Sequence, residues 1–199
     1  MHDAAPIDRA ELPIDTVALA RFLIGKCVVR SLPEGIAGGR IVETEAYVVG
    51  DAAGHAFRRM TSRNRALFLE RGHAYVYLAY GTSYMLNVSS EDAGIGAGVL
   101  IRALEPLHGI AIMQHNRGIA TVRDLARGPG RLAAALHIDR GLDGLDLCRK
   151  GALWLARGNE AFGEIGQSVR IGITKEADRP LRFYVRGSRF VSGPRSLNR

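Results

Sequence analysis

Cysteine and lysine are scarce in this chain of 199 residues, and long apolar runs are missing. The two cysteines, Cys27 and Cys148, stand far apart, which indicates neither a disulfide framework nor a thiol-rich metal site. No uninterrupted apolar stretch approaches the roughly 20 residues of a membrane span. The opening MHDAAPIDRAELP has no basic n-region and no apolar h-region. A protein of the cell interior is expected, cytoplasmic or nuclear and not secreted. The six histidines (His2, His55, His73, His108, His115, His137) show no H-x-x-x-H or H-E-x-x-H spacing, so no metal is expected. There is no Walker motif, and the Gly-x-Gly patterns lack a strand-to-helix context, so no cofactor is expected either. Ser83, Ser89 and Ser90 stand in no nucleophile elbow. Without repeats or linkers, the chain reads as one domain over 13–199 preceded by a loose extension over 1–12.

What is present is arginine. Basic residues number 27 against 20 acidic ones, and all but Lys26, Lys150 and Lys175 are Arg. The charge is uneven: residues 1–99 carry a net of −1 and residues 100–199 a net of +8. The planar guanidinium suits phosphate, so nucleic acid is one candidate partner. Genome base composition is the other explanation of the excess, since Ala and Gly are abundant too.

Residues 15–24 read as a helix capped by Asp15 or Thr16 and stopped at Gly25. CVVRSL and GGRIVETEAYVV read as two strands around a Pro33-Glu34-Gly35 turn, and AYVYLAYG with SYMLNVSS as a hairpin around Gly81-Thr82. RALFLER reads as a short helix, EDAGIGAG as a mobile loop and GVLIRAL as a strand. Glu105-Pro106 is expected to open a helix reaching about Arg117, and a second helix follows Gly128-Pro129-Gly130. GALWLARG, QSVRIGIT and LRFYVRGS read as further strands. Successive strands on short turns, with helices at irregular intervals, predict an α+β fold on a curved, mainly antiparallel sheet.

Two clusters stand out. In RIVETEAY (40–47), strand alternation puts Val42, Thr44, Ala46 and Val48 on one face and Glu43, Glu45 and Tyr47 on the other. Such a face is either solvated and salt-bridged, or it offers a carboxylate of altered pKa as a general base. Tyr75, Tyr77, Tyr80 and Tyr84 lie within ten residues, near Arg58, Arg59, Arg63, Arg65 and Arg71. Strand tyrosines commonly serve packing, but aromatics amid positive charge also suit base stacking and phosphate neutralisation. Arg102, alone among apolar residues, either pairs with a carboxylate or holds a phosphate.

Taken in order, RIVETEAY, His55, RNR (63–65), YVYLAYG (75–81), Asn87, LIRALEP (100–106), GPGRL (128–132), VRIG (169–172) and PLRFYVRGS (180–188) resemble the alkyladenine (3-methyladenine) DNA glycosylases of base-excision repair. The resemblance covers about Leu19 to Ser192. It implies a hairpin that inserts into DNA. It implies an enzyme that flips alkylated or deaminated purines out of duplex DNA and hydrolyses the N-glycosidic bond with a Glu-activated water. Glu45 would activate that water, and Arg102 and the carbonyl of Ile171 would hold it. Tyr47, His55 and Tyr77 would line the base pocket, with the His55 backbone reading the base edge. Asn87 would crowd a guanine 2-amino group, and Leu100 would floor the pocket. Tyr80 would fill the gap in the stack, while Arg63, Arg65 and Arg131 would meet phosphates.

The resemblance further implies a monomer acting on double-stranded DNA without lyase chemistry, because no Lys stands in a matching position. The Tyr47–His55 loop is about one residue shorter than the family's, lacks its proline and has less of its acidic content; Leu67 replaces an expected Met. Glu43 is expected to be structural, paired with an arginine. Two rival readings remain at this point: a non-catalytic nucleic-acid-binding module, and an enzyme acting on a free nucleoside or small glycoside.

Overall fold

The computed structural model describes residues 4–158 and 162–198. A helix (α1, Thr16–Leu23) precedes a hairpin of strands β1 (Cys27–Leu32) and β2 (Gly35–Tyr47). After a long irregular stretch come β3 (Ala74–Ala79), β4 (Ser83–Ser89) and β5 (Gly98–His108). Helices α2 (Ile110–Arg117) and α3 (Pro129–Ala135) follow, and β6 (Leu153–Ala156), β7 (Ile165–Ser168) and β8 (Arg182–Val185) end the chain. The sheet order is β3-β4-β5-β2-β1-β6, with β8 also paired to β2 and β7 to β8, and every pairing is antiparallel. The result is the expected α+β fold, a single domain on a sheet curled into a half-barrel.

The 13-residue β2 organises the molecule. Its first half pairs with β1, Glu43–Glu45 pair with β8, and β5 runs along its other edge from Gly38 to Tyr47. Its even positions face the core as the alternation requires: Val42, Thr44 and Ala46 are buried. Thr44 donates its hydroxyl to the Ala20 carbonyl of α1 at 2.9 Å, so its buried polar group is satisfied. Asp15 caps α1 by accepting the Ala18 N–H. None of the described helices is long and apolar enough to cross a membrane.

Four expectations need correction. The segment 1–12 is not loose from Pro6 onward: Pro6 bridges to Ala156, Ile7 and Leu12 are buried, and Asp8 caps a short 3-10 turn. Residues 1–3 lie outside the described residues. Glu105-Pro106 opens no helix, because β5 continues to His108 and α2 starts only after Gly109, at φ +65°. Proline cannot donate to a ladder, and the register shifts between Gly38 and Gly39, opposite Pro106. A Cβ on Gly39 would lie 2.3 Å from the Glu105 carbonyl oxygen, so only glycine permits that approach. The strand expected through VRIGIT ends at Ser168, where Arg170 turns inward. The loop 91–97 is tied down, with the Gly94 N–H donating to Phe68 and the Ser90 N–H to Ala97.

Candidate active site

Glu43 and Glu45 are both wholly buried, so their face of β2 is not a solvated one. Burying two carboxylates side by side requires compensating cations, and two guanidiniums supply them. The β2–β5 register runs from Glu43↔Ala103 to Thr44↔Ile101, skipping Arg102. This bulge sets Arg102 between the carboxylates, as bulges beside active sites commonly re-aim a side chain. Its Nε donates to Glu43 Oε1 at 2.9 Å and its Nη1 lies 3.1 Å from Glu45 Oε1. Arg182 of β8 donates its own Nε to Glu43 Oε1 at 2.7 Å. The Ser192 N–H and hydroxyl also donate to Glu43, at 2.7 and 3.0 Å. Burial pushes the Glu43 carboxyl up, but Arg102, Arg182 and the Ser192 N–H together hold it below its ordinary value. Glu43 is thus a buried carboxylate paired with two arginines.

Glu45 is held differently. The Ile171 N–H donates to Oε1 at 2.8 Å and the Tyr47 hydroxyl to Oε2 at 3.0 Å. Burial nonetheless dominates and raises its pKa, against Arg102 and the Ile171 N–H and with help from the Glu43 charge. A carboxylate with raised proton affinity is a stronger base than an ordinary one. Contact with Ile171 is through its amide N–H rather than the carbonyl expected to hold a water. Burial, followed by the adjacent Glu45 charge, raises the Tyr47 phenol, so Tyr47 remains a donor.

The two donors to Glu45 (Tyr47 and Ile171) and its ion-pair partner Arg102 line a cavity of about 490 Å³. His55, Tyr77, Asn87 and Leu100 line the same cavity, so every expected pocket residue converges on one space. The His55 ring meets Tyr77 edge-on at 4.3 Å between centroids, and its Nδ1 shares a hydrogen bond of 2.9 Å with the Tyr75 hydroxyl. Tyr75 and Tyr77 stack at 5.4 Å. Partial desolvation, then the Arg63 charge, lowers the His55 pKa and so favours the neutral ring. Asn64, buried, donates its amide to the His55 carbonyl at 2.8 Å and fixes that backbone. Asn87 donates to the Tyr75 carbonyl at 3.1 Å. A volume of this size, mainly apolar with a few convergent polar groups, is of the class that binds a small planar ligand.

Tyr80 stands apart from its neighbours. It leads the three-residue tip of the β3–β4 hairpin, at φ +51° and 89% exposed, while lining the cavity mouth. A residue so exposed gives the fold almost nothing. Beside the mouth, Arg58, Arg59, Arg63 and Lys175 line a groove with no carboxylate among its walls. Arg63 and Arg65 are exposed; Arg131 is half-exposed at the start of α3, 3.7 Å from Asp124.

A pocket walled by aromatic rings whose lining residues bond a buried carboxylate, flanked by a basic groove, narrows the class of protein. The family model described as methylpurine-DNA glycosylase (MPG) matches residues 10–189. The chain belongs to this family. It is thereby a DNA glycosylase of the 3-methyladenine/methylpurine class, an N-glycosyl hydrolase of DNA repair. It is 78% identical over 196 residues to a Mesorhizobium japonicum protein named "Putative 3-methyladenine DNA glycosylase", covering 98% of this chain and 94% of that protein. Relatives of the same name from Paraburkholderia phytofirmans and Methanoculleus marisnigri are 51% and 48% identical. They cover 96% and 89% of this chain, and 90% and 94% of their own lengths.

Several residues of the glycosylase site escaped the sequence reading. Arg182 sits alone in the apolar run LRFYV, the same signal that singled out Arg102. Ser192 and Asp51 carry no comparable signal, because their partners are 149 and 119 positions away, and Asn64 stood out only as part of RNR.

Proposed function

We propose that the enzyme removes alkylated or deaminated purines from duplex DNA with Glu45 as the general base. The carrying observation is the setting of Glu45: a wholly buried carboxylate with raised proton affinity, whose donors Tyr47 and Ile171 and ion-pair partner Arg102 all line the cavity. In this reading the damaged nucleotide swings into the cavity, since its C1′ is unreachable inside a duplex. The base packs against Tyr47, His55 and Tyr77, over Leu100, and Asn87 crowds an exocyclic 2-amino group. A water reaches Glu45 Oε2 when the Tyr47 hydroxyl yields its bond there.

As the C1′–N bond breaks, the purine leaves with the bonding pair and the sugar gains oxocarbenium character. Glu45 takes the water's proton, the hydroxyl oxygen bonds to C1′, and an abasic site remains. A cationic alkylpurine departs neutral, and its charge is attracted to the aromatic walls beforehand. Arg102 keeps Glu45 ionised and aligned. Tyr80 fills the vacated stack, while Arg63, Arg65 and Arg131 meet phosphates. The enzyme acts as a monomer on double-stranded DNA and needs no lysine nucleophile. Burial of both glutamates disfavours a passive binding module, whose carboxylates would be solvated. The exposed Tyr80 and the basic groove disfavour an enzyme of free nucleosides.

The test uses a duplex with a single hypoxanthine or ethenoadenine, followed by alkaline cleavage of abasic sites. Wild type is expected to give strand scission, and Glu45→Gln to lose nearly all of it while still binding the duplex. Comparable scission by both proteins sinks the assignment.

A further inference from the structure

Behind the pocket wall lies a second buried ion pair that no step above uses. Arg170 and Asp51 side chains are both wholly buried and hydrogen-bonded through both carboxylate oxygens of Asp51. Asp51 belongs to the loop joining Tyr47 to His55, where its Oδ1 also accepts the Ala53 N–H at 2.9 Å. Arg170 precedes Ile171, whose N–H holds Glu45. The guanidinium donates to the Ala46 carbonyl at 3.0 Å and lies over the Tyr47 ring, 4.7 Å from its centroid. One side chain thus ties the end of β2 to the pocket loop and to the Glu176 carbonyl after β7. It lies on the Tyr47 ring and is the chain neighbour of Ile171, the two residues whose groups hydrogen-bond Glu45.

We propose that the Asp51–Arg170 pair positions the Tyr47 hydroxyl and the Ile171 N–H on Glu45. This rests on the reading of Glu45 as the base. Two features favour positioning over mere stability. Buried ion pairs are seldom more stabilising than apolar side chains of equal volume. Moreover, among the described residues Arg170 Nε is a buried side-chain nitrogen with no hydrogen-bond partner. The guanidinium is oriented to serve Asp51, Ala46 and the Tyr47 face, and leaves its own Nε–H unsatisfied to do so.

The experiment compares Asp51→Asn, Arg170→Met and the double variant with wild type and Glu45→Gln, using the hypoxanthine duplex. Single-turnover excision is followed against pH, alongside duplex affinity and thermal melting. Misplacement of a positioned group costs on the order of a hundredfold in rate. Excision by all three variants is expected to fall by up to that factor, with duplex affinity little changed. The rising limb of rate against pH should move to higher pH, because Glu45 loses a donor that stabilises its anion. Glu43 and Tyr47 on β2, Tyr77 on β3, Arg102 on β5 and Arg182 on β8 surround this carboxylate and remain chemically unaltered. The double variant removes the stranded charge and should recover melting without recovering rate or limb.

Recovery of the rate and limb by the double variant, or a limb unmoved in every variant, overturns the proposal. Failure of all three variants to fold also overturns it, by making the pair part of the core. Activity in Glu45→Gln would instead overturn the underlying reading, so the two failures are distinguishable.

Discussion

Arg182→Met removes one of the two cations on Glu43 while keeping most of the aliphatic stem. The side chain is wholly buried and all five of its N–H groups have assigned acceptors. Nε serves Glu43, Nη1 serves Ser168 Oγ at 2.7 Å and the Leu197 carbonyl at 3.0 Å. Nη2 serves the Ser192 carbonyl at 3.1 Å and Asn198 Oδ1 at 2.6 Å. Removing one partner of a buried pair costs about 3–5 kcal/mol. Glu43 keeps Arg102 and Ser192, so the expected loss lies at the lower end, about 3 kcal/mol. At about 2–4 °C per kcal/mol for a domain of this length, Tm should fall by about 6–12 °C.

The same substitution should slow excision, because Glu43 then competes alone for the guanidinium of Arg102 that also serves Glu45. Thermal and urea unfolding of Arg182→Met, Glu43→Gln and the double variant form a cycle. The double variant should be more stable than the sum of the single losses implies, by about 0.5–3 kcal/mol. A fall in Tm for Arg182→Met below about 2 °C, or strict additivity in the cycle, refutes the buried-network argument.

Tyr80→Ala should leave Tm unchanged, within about ±0.5 kcal/mol, since the ring is exposed. Its damage-specific binding should weaken more than non-specific binding; equal loss in gel-shift titrations counts against the plug. Excision should rise with pH as Glu45 loses its proton, in a window above the ordinary 4.5. The stability contribution has the opposite sign. A carboxyl whose folded pKa is raised stabilises fully below the unfolded value and loses that contribution as pH rises through the folded one. Glu45→Gln should therefore flatten the decline in Tm over this window, and an unchanged profile argues against it. Glu43, held low, stabilises above its unfolded value and loses that as pH falls through the folded one, so Glu43→Gln should soften the acid-side loss. Duplex affinity should fall steeply with salt, and Arg63→Gln should reduce the slope of log K against log salt by about one. An unchanged slope removes Arg63 from the phosphate contacts.

Much of the site was legible because its elements are local. Strand alternation alone placed Glu43, Glu45 and Tyr47 opposite Val42, Thr44 and Ala46, and the β3–β4 tip was visible in Gly81-Thr82. The family motifs then separated Glu45 from Glu43, which parity leaves equivalent. The structure separates them by different means: Glu43 meets two guanidiniums and a serine, Glu45 one guanidinium and two residues, Tyr47 and Ile171, that line the cavity. The missed helix start at Glu105-Pro106 shows the limit of local punctuation. A proline that normally opens a helix is accommodated in a strand when the opposite residue is Gly39 and the register slips there.

The sequence by itself determined the fold class, the family and the identity of the pocket walls, because side-chain period, turn chemistry and ordered motifs are written within short windows. Tertiary structure alone decided the electrostatics. Glu43 with Arg102, Arg182 and Ser192, and Asp51 with Arg170, are joined across 59 to 149 positions of chain. Charge pairing of this kind depends on which strands neighbour β2 and on a bulge that re-aims Arg102. Neither follows from any window of residues, and burial, which sets the proton affinity of Glu45, exists only once the sheet has closed around it.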